Sequence, residues 1–170
     1  DYQVEYRVRH GDGHWVWIED RGRAVERTPA GRVTRMLGTR RDISVGKALE
    51  EQLRLASTVF EAASEGIVIL DPDYALIAVN QAFSRVTGFE IDDMLGRNVV
   101  ELPSSRDARR HFPVIRQALL THGTWQGELV ETRKNGELYP QWLQLNVVRD
   151  VRGKVSHIVG FFAVLSARRE

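Results

Sequence analysis

The sequence contains no cysteine among its 170 residues. This absence excludes disulfide bridges, thiolate zinc sites and cysteine nucleophiles. It also excludes any cofactor that is held or modified through a thiol. Long apolar runs are missing too: the stretch at residues 158–165 is far shorter than the roughly 20 residues of a membrane-spanning helix.

Neither sign of charge is in excess, with 24 Lys and Arg against 23 Asp and Glu and a net charge of +1. Proteins that bind nucleic acids or anionic membranes carry an excess of basic residues on one face. We therefore expect no nucleic-acid partner, no direct membrane insertion and a cytoplasmic location. Polar and apolar residues alternate from the first residue, as in the middle of a strand, and no signal peptide is visible. We therefore expect a fragment of a longer protein, in which a membrane tether elsewhere is compatible with this sequence.

The chain contains a repeat. Asp12-Gly13 and Asn135-Gly136 are both strong hairpin signals, because these residues adopt the positive φ that tight turns need. The step from Gly31 to Gly38 recurs from Gly153 to Gly160, which aligns the two copies. Each copy therefore predicts three antiparallel strands.

Only the second copy has further elements before its three strands. Two short strands are predicted at residues 66–70 and 75–79. Three helices are predicted after them: one between a cap at residue 80 and a stop at residue 88, one at residues 91–95 and one at residues 107–122. Asn80 is the predicted cap of the first of these helices, and Pro113 is placed in the first turns of the last one. The predicted fold class is α+β, with helices on one face of a five-stranded antiparallel sheet.

A helix is predicted between the copies, at residues 45–63. Its apolar residues step by four and three, as in a coiled-coil seam, and include Leu49, Leu53, Ala56 and Phe60. Two interpretations remain open: the seam joins two chains in a homodimer, or the helix packs as a linker on its own domain.

Short motifs in a fixed order resemble the PAS family of sensory modules. They lie at residues 65–71 (EGIVILD), 79–83 (VNQAF), 86–89 (VTGF), 95–98 (LGRN), 123–128 (GTWQGE) and 133–140 (RKNGELYP). The resemblance divides the chain into the last three strands of a truncated first unit, often called PAC (1–44), the linker helix (45–63), a complete PAS domain (64–166) and a tail (167–170).

The resemblance implies a sensor rather than an enzyme: a pocket between helices and sheet binds a cofactor or small ligand, and a flanking helix relays the signal. The sequence of residues 123–140 is similar to PAS modules of bacterial cyclic-di-GMP enzymes and sensor kinases. The output domain, outside this sequence, is therefore expected to be of one of these types. No catalytic motif, such as Gly-x-Ser-x-Gly or a phosphate-binding glycine loop, is present.

The cofactor is left open by the sequence. Val99 occupies the position of the adduct-forming cysteine of flavin photosensors, which excludes that photochemistry. Non-covalent flavin is favoured by Asn98 and Trp125. At the positions that face the flavin edge in related modules, Gln141 keeps an amide, whereas Glu131 brings a charge and Phe162 removes a donor. Haem would need His111, which lies one residue out of register with the ligand position of haem-binding relatives.

The predicted pocket is apolar with two amides. Its lining is predicted as Val86, Met94, Asn98, Ile115, Leu119, Trp125, Gln141, Leu143, Leu145 and Phe162. No metal site is predicted, since His10, His14 and His157 are interpreted as surface histidines without a nearby ligand partner.

The family's Asp-Ile-Thr-like coupling motif is matched in the first unit alone. The first unit carries Asp42-Ile43-Ser44, whereas the second has Val164-Leu165-Ser166 and lacks the acid. This difference makes a ligand-free dimerisation module the alternative of another class.

Overall fold

The computed structural model describes residues 1–166, and the predicted tail at 167–170 lies outside them. The chain divides into two compact units, Asp1–Ser57 and Thr58 onwards. None of the helices in the described part of the chain is both long and apolar enough to cross a membrane.

The first unit is a three-stranded antiparallel meander followed by a helix. Its elements are β1 (Tyr2–Arg9), β2 (Trp15–Arg27), β3 (Val33–Asp42) and the first part of α1 (Ser44–Ala62). Asp20 is buried at the centre of β2, where it accepts hydrogen bonds from Tyr6 (2.9 Å), Tyr2 (3.0 Å) and Arg40 (3.1 Å). These contacts satisfy the buried carboxylate and tie all three strands together.

The second unit contains the predicted five-stranded antiparallel sheet with helices packed on it, which confirms the α+β fold class. The strand order is β5-β4-β8-β7-β6. The elements after α1 are β4 (Gly66–Leu70), β5 (Leu76–Val79), α2 (Gln81–Thr87), α3 (Ile91–Met94), a 3-10 turn (Val99–Glu101), α4 (Arg106–His122), β6 (Thr124–Thr132), β7 (Leu138–Arg149) and β8 (Val155–Val164).

Local capping explains where α4 begins and ends. Ser105 Oγ accepts a hydrogen bond from the Ala108 amide (2.9 Å), and Gly123 ends the helix with a φ of 72°. Pro113 lies inside the helix, seven residues after its first residue and beyond the first turn. Because proline has no N–H, the helical hydrogen bond to the Arg109 carbonyl is missing at this point.

Asn80 connects three elements of the second unit. It is completely buried, and its Oδ1 accepts hydrogen bonds from the amides of Ile67 (2.9 Å) and Phe83 (3.2 Å). Its Nδ2 donates to the carbonyls of Phe60 (2.9 Å) and Glu65 (3.0 Å). The predicted cap of α2 therefore also holds the start of β4 and the last turn of α1.

We expect Asn80→Ala to lower the free energy of unfolding by about 3 kcal/mol, because it leaves four backbone groups, one buried and three part-buried, without their partner, and an unsatisfied buried group costs about 1–3 kcal/mol. Asn135→Ala is the matched control. Asn135 is exposed and accepts one hydrogen bond, from the Glu137 amide. Urea unfolding followed by circular dichroism measures both changes, and equal losses in the two variants would contradict the connecting role of Asn80.

Candidate functional site

A cavity of about 440 Å³ lies between the helices and the sheet of the second unit. Its wall is mainly apolar. Six of the ten residues predicted for the pocket line it: Met94, Ile115, Gln141, Leu143, Leu145 and Phe162. Val99, which takes the place of the adduct-forming cysteine, also lines it.

The sheet presents one face to the cavity because side chains alternate along each strand. Gln141, Leu143 and Leu145 lie on this face of β7, and Leu143 pairs with Phe162 on β8. Phe162 meets Phe83 of α2 edge to face, with ring centroids 6.1 Å apart. The sheet and α2 therefore both contribute apolar side chains to the wall of the cavity.

Four predicted lining residues lie elsewhere. Leu119 is buried in the core, and Val86 and Trp125 pack against that core. Trp125 faces the His111 ring at 6.2 Å. Because these side chains are packed against other protein groups, they support the cavity rather than form its surface.

Asn98 is the fourth predicted lining residue that lies outside the cavity. Its side-chain amide is hydrogen-bonded to nearby backbone groups. Its Nδ2 donates to the Asp73 carbonyl (2.8 Å), and its Oδ1 accepts from the Val100 amide (3.0 Å). It thereby caps the 3-10 turn and lines a second, smaller cavity of about 350 Å³ beside Tyr74 and Phe112.

His111 makes a helical contact of its own. Its Nδ1 lies 2.8 Å from the Asp107 carbonyl, one turn earlier in α4. The imidazole therefore has a polar neighbour, Asp107, and an apolar one, the Trp125 ring.

A polar corner of the cavity was missing from the predicted lining. Glu131 and Tyr139 face each other across β6 and β7, and Ser104 precedes α4. Ser104 Oγ donates to the Glu131 carboxylate (3.1 Å), as does the Thr132 amide (3.1 Å). The signal in the sequence is the alternation of β6, which puts the acid on the same strand face as buried Leu129.

Burial sets the protonation of this corner. It raises the pKa of Glu131, against the hydrogen bonds from Thr132 and Ser104, which favour the charged form. Burial, assisted by the charge of Glu131, also raises the pKa of Tyr139 to about 12. The phenol therefore stays protonated at neutral pH, and the carboxyl titrates above its usual range.

The raised pKa of Glu131 predicts a pH dependence of stability. Since the folded state favours the neutral carboxyl, the stabilising contribution is complete below the unfolded-state pKa, about 4.3, and is lost as the pH rises through the folded-state value. We expect the unfolding free energy of Glu131→Gln to improve relative to wild type as the pH rises from about 4 to about 7. Urea unfolding across this range measures the difference.

Glu128→Gln is the control for this titration. Glu128 lies on the same strand and is exposed, on the opposite face of the sheet. A pH-independent difference between wild type and Glu131→Gln, or an equal pH dependence in the control, would contradict the burial effect.

Comparison with known proteins identifies the family of this chain. A family model described as PAS domain matches residues 64–163, more than half of the chain, and one described as PAS fold matches residues 1–40. The chain belongs to the PAS domain family, and its second unit is a PAS sensory domain.

Two curated relatives and one solved structure illustrate the similarity. Adagio protein 3 of Arabidopsis thaliana is 38% identical over 100 residues, 54% of this chain and 16% of that protein. The nitrogen fixation regulatory protein of Klebsiella oxytoca is 30% identical over 112 residues, 66% of this chain and 23% of that protein. The PAS domain of a Colwellia psychrerythraea protein shares the fold, with a TM-score of 0.63 at 18% identity over 69% of this chain and 99% of that one.

Proposed function

We propose that the second unit is the ligand-binding sensor of a longer signalling protein and that its cavity takes a small, mainly apolar molecule with one polar group. The cavity volume of about 440 Å³ carries this proposal, because small-molecule sites measure about 300–1,000 Å³. Glu131, Tyr139 and Gln141 lie on neighbouring strands of its wall and would orient the polar group.

The hydrogen bonds at the start of α2 support a relay from the cavity to α1. Phe83 and Thr87 of α2 line the cavity, and Asn80 at its start donates to the Phe60 carbonyl of α1. A ligand that favours a different position of α2 would change the hydrogen bonds holding the end of α1, and would so shift the populations of two conformations.

The output in this proposal is a cyclic-di-GMP enzyme or a histidine kinase in another part of the parent protein. The module itself would carry no catalysis. The regulatory name of the Klebsiella relative supports a signalling role. A cytoplasmic location fits both kinds of output, because their nucleotide substrates are made there.

An absorption spectrum of freshly purified protein, followed by mass spectrometry of the molecules released on heating, tests the occupant. We expect no flavin or haem band and a small apolar molecule in the released fraction. A stoichiometric flavin spectrum would replace the proposal by a non-covalent flavin sensor, with Glu131, Gln141 and Phe162 at the ring edge. A haem spectrum lost in His111→Ala would replace it by an oxygen or redox sensor.

Filling the cavity tests where the molecule binds. Leu143→Trp adds bulk to the cavity wall, and we expect it to weaken ligand binding at least about tenfold, a cost of about 1.4 kcal/mol. Leu120→Trp makes the same change on the exposed face of α4. Isothermal titration with the molecule recovered from wild type compares the variants, and equal affinity of Leu143→Trp and wild type would place the ligand elsewhere.

The candidate function of another class is ligand-free dimerisation, with α1 as the seam. Within Ser44–Ala62 no side chain is fully buried, and Leu49 and Leu53 are 55% and 72% exposed. The proposed seam consists of Leu49, Leu53, Ala56 and Phe60. Burying such a stripe against a second copy removes apolar surface from water.

The coupling motifs of the two units supply a second argument for this role. In the first unit the Asp42 carboxylate accepts a hydrogen bond from the Ser44 amide (2.9 Å), which fixes the start of α1. In the second unit the corresponding segment has Leu165, whose amide donates to the Pro140 carbonyl (2.9 Å). The segment that follows β8 therefore lacks the acid that fixes the start of α1 in the first unit. A signal from the second unit would then be relayed through α1.

We expect the double variant Leu49→Glu and Leu53→Glu to be monomeric, because four charges would otherwise face one another in the seam. Phe60 is left unchanged, since its side chain is partly buried in the turn of α1 that Asn80 holds. Leu55→Glu makes the same change outside the seam, at a residue 49% exposed. Sedimentation velocity distinguishes the species, and a double variant that still dimerises would contradict the seam.

A further inference from the structure

The hairpin between β1 and β2 brings three potential metal ligands together. His10 and His14 are the first and last residues of the turn, joined by a hydrogen bond from the His10 amide to the His14 carbonyl (2.8 Å). With Asp12 between them, each offers one ligand atom, and these atoms all lie within 4.8 Å of one another. The expectation that His10 and His14 have no nearby ligand partner is wrong, because the tight turn brings both side chains close to Asp12 and to each other.

The corresponding hairpin of the second unit has the same backbone hydrogen bonds. The Arg133 amide donates to the Glu137 carbonyl (2.8 Å), and the Glu137 amide donates to Asn135 Oδ1 (3.0 Å), just as the His14 amide donates to Asp12 Oδ1 (3.1 Å). This turn therefore places its first and fifth side chains side by side in both units.

The two hairpins differ in what these side chains can do. In the second unit, Arg133 and Glu137 form an ion pair, with Nε and Oε2 3.6 Å apart. In the first unit, the two imidazole rings are stacked with centroids 4.6 Å apart and an interplanar angle of 22°. Two imidazolium charges at this distance would repel, whereas two neutral rings and a carboxylate suit a shared cation.

We propose that His10, Asp12 and His14 form a binding site for one divalent transition-metal ion of the Zn²⁺, Ni²⁺ or Cu²⁺ type. Two imidazole nitrogens and one carboxylate oxygen select these ions over Mg²⁺ and Ca²⁺, which prefer all-oxygen ligand sets. The remaining coordination positions face solvent and are filled by water, since all three side chains are more than half exposed.

The distances suit such an ion. Bonds of about 2.0–2.1 Å in tetrahedral geometry separate two ligand atoms by about 3.4 Å. His10 Nδ1 and Asp12 Oδ1 lie 3.2 Å apart, and His14 Nδ1 also contacts Asp12 Oδ1. The turn therefore holds the three side chains together, and their rotation admits the ion once His10 Nδ1 releases the hydrogen bond from the Asp12 amide.

Isothermal titration of the tag-free 170-residue chain with ZnCl₂ and with NiCl₂, near pH 7.5, tests the site. We expect one equivalent to bind, and His10→Gln, His14→Gln and Asp12→Asn each to weaken binding at least about tenfold. Asp12→Asn keeps an oxygen that can accept from the His14 amide, so the hairpin is retained. His157→Gln removes an exposed histidine of β8 and should leave binding unchanged.

Imidazole nitrogen NMR identifies which histidines bind the ion without any substitution. One equivalent of Zn²⁺ should shift the ring nitrogens of His10 and His14 and leave those of His157 unchanged. The proposal is overturned if wild type binds neither ion, if binding survives all three hairpin variants, if His157→Gln abolishes it, or if excess MgCl₂ displaces the ion.

Discussion

The second unit depends on the hydrogen bonds of one buried amide. Asn80 is completely enclosed, and all four of its side-chain hydrogen bonds go to backbone groups of other segments. A buried amide is stabilising only when both its donors and its acceptor are satisfied. The positions of β4, α2 and the last turn of α1 are therefore mutually dependent, because moving any one of them leaves polar groups unpaired.

Residues whose role is set by local geometry could be predicted from the sequence. The capping of α2 by Asn80 and the shared strand face of Gln141 and Leu143 follow from backbone periodicity and turn chemistry alone. The sequence did not indicate that Asn98 would cap a 3-10 turn, or that Trp125 would pack beside His111. These outcomes depend on which long-range neighbour competes for the side chain, and a single sequence carries no record of that competition.

The repeated hairpin shows how one backbone supports different chemistry. In both units a residue with positive φ, Gly13 or Gly136, closes the turn and brings the first and fifth side chains together. An arginine and a glutamate at these positions form an ion pair, whereas two histidines bring one ring nitrogen each within 4.8 Å of the other and of an Asp12 carboxylate oxygen. The repeat thus predicts the fold of the turn, while the side chains alone decide what the turn can bind.

The cavity is bounded by two segments that are held in place by different polar contacts. On one side, Ser104 donates to Glu131, which ties the entry of α4 to the sheet. On the other side, Asn80 fixes α2 to α1. A ligand changes the balance between conformations only by the difference in its affinity for them. A molecule that contacts both Glu131 and Phe83 would bind two conformations with different affinities, because the distance between these two walls determines how well both of its ends fit.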